Sequence, residues 1–441
     1  MTVTATAAPL RTPRKRLFVF LDGTWNEPAS NTNVWRAHTM VLGPVGDDGV
    51  PQLCYYNEGM GNAGPTDYVL GGFFAFGLDQ WIKSAYGWIM QHYTPDCDLF
   101  LFGFSRGAYM VRNLIGMIHD CGLLLPGSPI NLDQLYDRYR AISHITPAPP
   151  TLQQIRRTPE QFTIKDSFLE YNMNQWSRAN VTFRYVGIFD TVGAGGIPIG
   201  NLQNVSNSTL CWNEVGVNKL ILSGRHALAL DEHRFLFRPT LWTMNKKNSN
   251  QYAEIARRVE QRWFVGAHCN IGGGSSNDLL QQIPLRWIIE GAIQAGMQIN
   301  CDQILRTESA EATASPIVNS LALFIGGLYQ WIPIIGRPYY RSIGGSETDV
   351  VNINETIDAS VFRRWQLDPS YRPRNLRVWA DRFGLDLDSC KCVSRAAADG
   401  RAVSAQEVAP VQESSVASHG LNHPVIEKIP WLIASLRSIT A

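Results

Sequence analysis

One serine in this chain stands where a nucleophile would. Residues 99–109 read LFLFGFSRGAY, and GFSRG fits the spacing G-x-S-x-G around Ser105. A serine hydroxyl attacks an ester only when it stands proud of its backbone on a tight, strained turn. Side chains two residues away on either side would meet the preceding strand or the following helix, so glycine suits Gly103 and Gly107. A helix starting at Arg106 would also aim its first N–H groups and its positive end at the site, where an oxyanion could form.

Serine needs a base, and the base needs an orienting acid. Where the nucleophile sits on such a turn, acid and base follow it in the order Ser, Asp, His. Asp190 ends the apolar run in TFRYVGIFDTVGAGG, a place where an open sheet gathers its reactive groups. Five histidines come later: His226, His233, His268, His419 and His423. The last two lie in a polar tail. His226 and His233 fall in a stretch, 213–233, that reads as helical and solvated. His268 ends the strand-like QRWFVGAH, just before NIGGG, and is the expected base. For the oxyanion the expected donors are the N–H of Arg106 and that of Gly23 or Thr24, in the LDGTWN loop. DGT also resembles the D-x-D-G-T signature of aspartyl-nucleophile phosphatases, but Phe20 occupies the nucleophile's place.

These groups need a scaffold, and the pattern supplies one. RLFVFL and DLFLFG have the length and composition of buried strands, and QLCYYN of another. Leu78, Trp81, Ile82, Ala85, Trp88 and Ile89 recur at helical spacing within 68–93, as do Ala108, Val111, Leu114, Ile115 and Ile118 after the serine. Residues 284–297 read as a helix opened by Pro284. Strands alternating with helices predict an α/β fold with a mostly parallel sheet covered on both faces. The expected organisation is a flexible tail over 1–15, one domain over 16–385 and a polar tail over 386–441. Residues 126–180, rich in Pro, Gln and Arg, read as a cap-like insertion. The uncharged run 312–336 reads as a buried helix or lid, a membrane-facing surface, or a span.

Composition excludes several classes. Lysines and arginines (39) nearly balance aspartates and glutamates (38), so there is no electrostatic footprint for nucleic acid. Charged residues are only 17% of the chain, which points to extensive burial. The eight cysteines form no C-x-x-C pair; Cys390 and Cys392 lack a nearby His or Cys partner, so no metal is expected. Arg11, Arg14, Lys15 and Arg16 follow the mildly apolar N-terminus rather than precede it, which does not fit a secretory signal. A cytoplasmic location, or export without a cleaved signal, is the expectation.

Taken together, FLDGTWN, LFGFSRGAY, YVGIFDTVGA, RHALALDEHR and WFVGAHCNIGGG resemble the α/β-hydrolase domain family that includes the type VI secretion phospholipase effectors. The likeness runs from about residue 17 to 300, with a weaker echo at YRPRNL. It implies an α/β-hydrolase fold and hydrolysis of lipid acyl esters by Ser105, Asp190 and His268, without a cofactor. Two positions depart from the family pattern. Asn270 stands where relatives carry an acid in H-S-D, and Asp358 where they often carry a histidine. The expected activity is therefore carboxylic ester hydrolysis on lipid, with a soluble small-ester esterase or a binding module that has lost turnover as alternatives. Oligomeric state is not legible.

Overall fold

In the computed structural model of the chain, residues 15–23, 28–58, 73–142, 148–165, 167–192, 220–274, 279–300, 310–323, 337–345, 350–389, 394 and 402–405 are described. Thr24, Cys390, Cys392, His419, His423, residues 324–336 of the apolar run and most of both expected tails lie outside them.

The backbone follows from an alternation inside the apolar runs. In β1 (Lys15–Leu21), Leu17, Val19 and Leu21 point to one face and Phe18 and Phe20 to the other. In β3 (Cys97–Phe104) the same split sets Leu99 and Leu101 against Phe100, Phe102 and Phe104. The strands pair in parallel with Phe18 opposite Phe100 and Phe20 opposite Phe102, and the rings stack at 4.8 and 4.9 Å. One face is thus aliphatic, the other aromatic. Both are buried, which explains why these strands are apolar throughout rather than alternating polar and apolar.

With β2 (Gln52–Asn57), β4 (Tyr185–Phe189), β5 (Gly224–Ala229), β6 (Val259–Phe264), β7 (Glu355–Ile357) and β8 (Val403–Ser404), these strands form one sheet in the order β2-β1-β3-β4-β5-β6-β7-β8. Every pairing is parallel except β7 with β8. Helices α1 (Asn33–Met40), α2 (Phe73–His92) and α3 (Arg106–Cys121) cover its first half. Buried side chains of α2 and α3 join the aliphatic face, and those of α1 the aromatic one. Helices α4 (Leu132–Ala141), α5 (Leu152–Arg157) and α6 (Phe168–Trp176) fall within residues 126–180. Of these, α4 packs on both α2 and α3, and α5 on α3. The chain steps outward from β1 to β2, then crosses back to β3. That reversal opens a crevice at the carboxyl ends of β1 and β3, the place where open α/β sheets hold ligands.

The stretch expected to be helical at 213–233 holds β5 instead, a fully paired central strand. Its polar residues misled the periodicity. His226 is not solvated but fully buried, opposite Gln261 of β6, whose Oε1 faces His226 Nδ1 at 3.2 Å. Arg225 reaches off the sheet to the Trp287 carbonyl and to Gln294 Oε1. Both satisfactions come from distant chain, so no local pattern carries them. At the far end, Val403 and Ser404, within the expected C-terminal tail, add the antiparallel edge strand β8. No helix among the described residues is long and apolar enough to cross a membrane.

Two glycines fix how α3 meets the sheet. A Cβ on Gly107 would lie 1.9 Å from the Leu21 carbonyl oxygen, and one on Gly103 would lie 2.7 Å from the Gly107 carbonyl oxygen. The first contact is with the backbone of β1, which has nowhere to move. Gly107→Ala is therefore expected to destabilise the fold by about 1–3 kcal/mol and to shift the turn before α3. Urea denaturation measures it, and a variant as stable as the parent would contradict the close approach.

Candidate active site

Four strand ends converge at the crevice. Ser105 follows β3 directly and precedes α3, with φ 56° and ψ −118°. A non-glycine residue holds that backbone only when its surroundings enforce it. Here the Ser105 N–H donates to the Phe189 carbonyl at the end of β4 (3.0 Å), and its carbonyl accepts from Tyr109 N–H (3.2 Å). The result is a hydroxyl held proud at the mouth of α3.

Asp190 is the residue after β4, also at positive φ (37°), and is wholly buried. His268 opens a short helix, α7 (His268–Gly272), four residues past the end of β6. The three side chains, far apart in sequence, meet. His268 Nε2 lies 2.8 Å from Ser105 Oγ, and His268 Nδ1 lies 2.6 Å from Asp190 Oδ2. An ionised carboxylate only accepts, so Nδ1 carries the proton and donates it to Asp190. That leaves the Nε2 lone pair facing the serine hydroxyl, the tautomer a general base requires.

The imidazole is braced between rings, Phe104 at 4.7 Å and Phe237 at 5.1 Å in an edge arrangement. Phe104 has room only because residue 272 is glycine; a Cβ there would sit 1.9 Å from its ring. Gly273 and Gly274 then take φ of 87° and 96°, turning the chain out of α7. The glycine run after the histidine is thus a packing and turning device.

Behind the imidazole lies a second buried carboxylate, Glu232. It accepts from Arg234 Nε and Nη2 and from the Arg234 N–H (each 2.8 Å), from Ser320 Oγ (2.9 Å) and from the His268 N–H (3.2 Å). Burial alone would raise this acid, but the Arg234 hydrogen bond and charge outweigh it and bring it down to about 2. Asp190 has its own cation, Arg341, a residue that is 1% exposed and that no motif in the sequence singled out. Its Nη1 lies 2.6 Å from Oδ1 and its Nη2 3.0 Å from Oδ2. Burial would push the Asp190 carboxyl up; the Arg341 charge and the His268 hydrogen bond reverse that and hold it far below the ordinary carboxylate range. Burial depresses His268 below its ordinary 6.5, with the Asp190 contact opposing.

Of the expected oxyanion donors, Arg106 is the first residue of α3, so its N–H belongs to the turn that opens toward the serine. The Gly23 N–H donates to Asp22 Oδ1 at 2.7 Å. Asp22 is itself buried at the end of β1, where Thr32 Oγ1 and Tyr56 OH (3.0 Å) donate to its other oxygen. The two positions that depart from the family pattern do other work. Asn270 Oδ1 accepts from the Ala267 N–H (2.9 Å) and the Val318 N–H (3.0 Å), tying the start of the apolar run to the histidine's helix. Asp358 caps the helix α8 (Ala359–Leu367) by accepting from Ser360 N–H at 2.9 Å and pairs with Arg262 at 3.4 Å.

Asp190 and Arg341 are both buried to completion, so removing one charge strands the other. Asp190→Asn is expected to cost about 3–5 kcal/mol of stability, read by urea denaturation at pH 7. A loss below about 1 kcal/mol, the value of an exposed pair, would contradict the burial described here.

Comparison with known proteins places the chain in a family. The family model of the T6SS phospholipase effector Tle1-like catalytic domain matches residues 15–291. The uncharacterized protein YEL023C of Saccharomyces cerevisiae is 29% identical over 248 residues, 52% of this chain and 33% of that protein. Among solved structures, an uncharacterized protein from Pseudomonas aeruginosa matches with 16% identity and a TM-score of 0.36, covering 70% of this chain and 49% of that one. The Tle1 effector bound to the VgrG spike of the type 6 secretion system matches with 15% identity and a TM-score of 0.30, covering 62% of this chain and 53% of that one. The chain thus spans about a third of the curated relative it matches and about half of each solved chain.

Proposed function

The chain belongs to the T6SS Tle1-like phospholipase effector catalytic-domain family, and from that premise we propose that it is a serine hydrolase cleaving acyl esters of phospholipids. The observation that carries the reading is the hydrogen-bonded series Ser105 Oγ, His268 Nε2, His268 Nδ1, Asp190 Oδ2, set at the crevice of the sheet. As Ser105 attacks the ester carbonyl, His268 Nε2 takes the hydroxyl proton. Asp190 holds the ring and stabilises the imidazolium. The oxyanion is stabilised by the Arg106 N–H and the positive end of α3; the Gly23 N–H is taken by Asp22 Oδ1 and is not assigned to it. The imidazolium then protonates the leaving alkoxide, and water enters by the reverse route to free the acyl group.

Because burial lowers His268, the base is neutral at pH 7. A base whose pKa lies low is active above that value and lost only as pH falls through it. The kcat/KM profile should therefore decline only on an acid limb centred below 6.5. A limb centred above 6.5 would contradict this environment.

The decisive experiment incubates the chain and its Ser105→Ala variant with phosphatidylcholine and phosphatidylglycerol vesicles and with soluble p-nitrophenyl esters, reading released fatty acid and lysolipid by mass spectrometry. The variant should lose activity on the order of 10⁴- to 10⁶-fold. Equal rates in the two proteins would defeat the mechanism, and turnover of soluble esters without vesicle lipid would replace the lipid substrate by a small one. A fluorophosphonate that fails to label Ser105 would leave a binding module.

A further inference from the structure

We propose that Arg341 is a positioning residue for this site: it fixes the Asp190 carboxylate on its imidazole-facing rotamer and sets the charge that His268 experiences. The inference rests on the hydrolase reading above, since it assigns the source of that site's order.

The geometry is that of a fork closed on a buried anion. Each Asp190 oxygen receives two donors. Oδ1 takes Arg341 Nη1 (2.6 Å) and the Ala229 N–H (2.9 Å); Oδ2 takes Arg341 Nη2 (3.0 Å) and His268 Nδ1 (2.6 Å). With both oxygens occupied the carboxylate cannot rotate, and the direction in which it accepts from His268 is settled before substrate arrives. Arginine suits this because its planar fork matches a carboxylate at two points, which a lysine cannot do. The same guanidinium is itself fixed. Nη1 donates to the Ala229 carbonyl (2.8 Å) and Nη2 to the Phe237 carbonyl (2.6 Å). Those contacts join the end of β5 to the turn carrying Phe237, whose ring braces His268. One side chain therefore touches the acid and the support of the base together.

Arg341 also lies outside the stretch 15–291 over which the family model matches. The catalytic segment is thus completed by chain that follows it, through the 337–345 stretch.

The electrostatic consequence can be separated from mere scaffolding. The charged and titratable groups around His268 are Asp190 after β4, Glu232 and Arg234 after β5, and Arg341 from 337–345; His226 of β5 lies beside Asp190, its Nε2 accepting from the Thr191 N–H and its Nδ1 facing Gln261 Oε1. Glu232 and Arg234 neutralise one another. Arg341 neutralises Asp190 and so weakens the attraction of the carboxylate for a proton on the ring. Removing the guanidinium charge makes proton uptake by the Asp190–His268 pair easier. Its midpoint must then rise, and the acid limb of activity must move to higher pH.

The test is an NMR titration of the His268 ring in the full chain, with kcat/KM against pH on a soluble ester, for the parent, Arg341→Met and Arg341→Lys. Arg341→Met is expected to raise the His268 midpoint by about one unit or more and to shift the acid limb with it. Arg341→Lys keeps the charge but loses the fork; its midpoint should stay within about 0.3 unit of the parent while kcat/KM falls roughly tenfold or more. An unmoved midpoint in Arg341→Met overturns the proposal. If that variant does not fold, Arg341→Lys decides alone, and full kcat/KM in it overturns the proposal. The titration does not need turnover, so a parent chain without esterase activity counts against the hydrolase reading, and an unmoved midpoint counts against Arg341.

Discussion

A carboxylate without solvent has to be surrounded by donors, and Asp190 has no exposed surface at all. That requirement organises the carboxyl end of the sheet. The donors come from the Ala229 N–H at the end of β5, from His268 after β6, and from Arg341 on a stretch far along the chain. Three segments are drawn to one residue because leaving any lone pair unmet in a buried site costs several kcal/mol. The backbone of Asp190 pays a conformational penalty as well, at φ 37°. The same convergence that satisfies the acid aims it at the histidine, so burial and orientation have one cause.

The sheet beneath explains why this convergence is reproducible. Aliphatic side chains fill one face and aromatic rings the other, and the rings pair across β1 and β3 in register. A slip of one residue would exchange the two faces and undo both. The register carries Ser105, Asp190 and His268 to the same end. A third cluster, built around Trp263, packs β6 against α8 and α9 (Arg374–Arg382) through Phe362, Trp365 and Trp379. The half of the sheet that carries the histidine is thus clamped by chain beyond the matched catalytic segment, as the acid is by Arg341.

How much of this is legible in the sequence depends on the range of the interaction. Ser105, Asp190 and His268 each sit where an apolar run breaks against a polar residue, so local pattern was enough to nominate them. Glycine at 103 and 107 follows from the same turn. β5 does not show as a strand in the local pattern because Arg225 and His226 are satisfied by Gln294 and Gln261, partners supplied by other elements. Glu232 and Arg234 lay inside a recognisable motif, RHALALDEHR, yet their role against α7 depends on the tertiary position of the His268 N–H. Arg341 had no signal of any kind: RPYYRSIGG shows neither period nor spacing that would connect it to an aspartate 151 residues earlier.

Asn270 shows how a departure from the family pattern can leave the hydrogen bonds among Ser105, His268 and Asp190 in place. The ring nitrogen that an acid would orient is already met by Asp190 at 2.6 Å. What position 270 supplies is an acceptor for two backbone N–H groups, Ala267 and Val318, and an amide oxygen accepts as a carboxylate oxygen does. The difference is charge. Asp190 and Glu232 already place two buried anions about the histidine, each matched by one arginine. A third carboxylate would add an unmatched charge in low dielectric and pull the imidazole toward its protonated form. The amide keeps the hydrogen bonds that hold α7 in place and leaves the balance of two anions against two guanidinium groups intact.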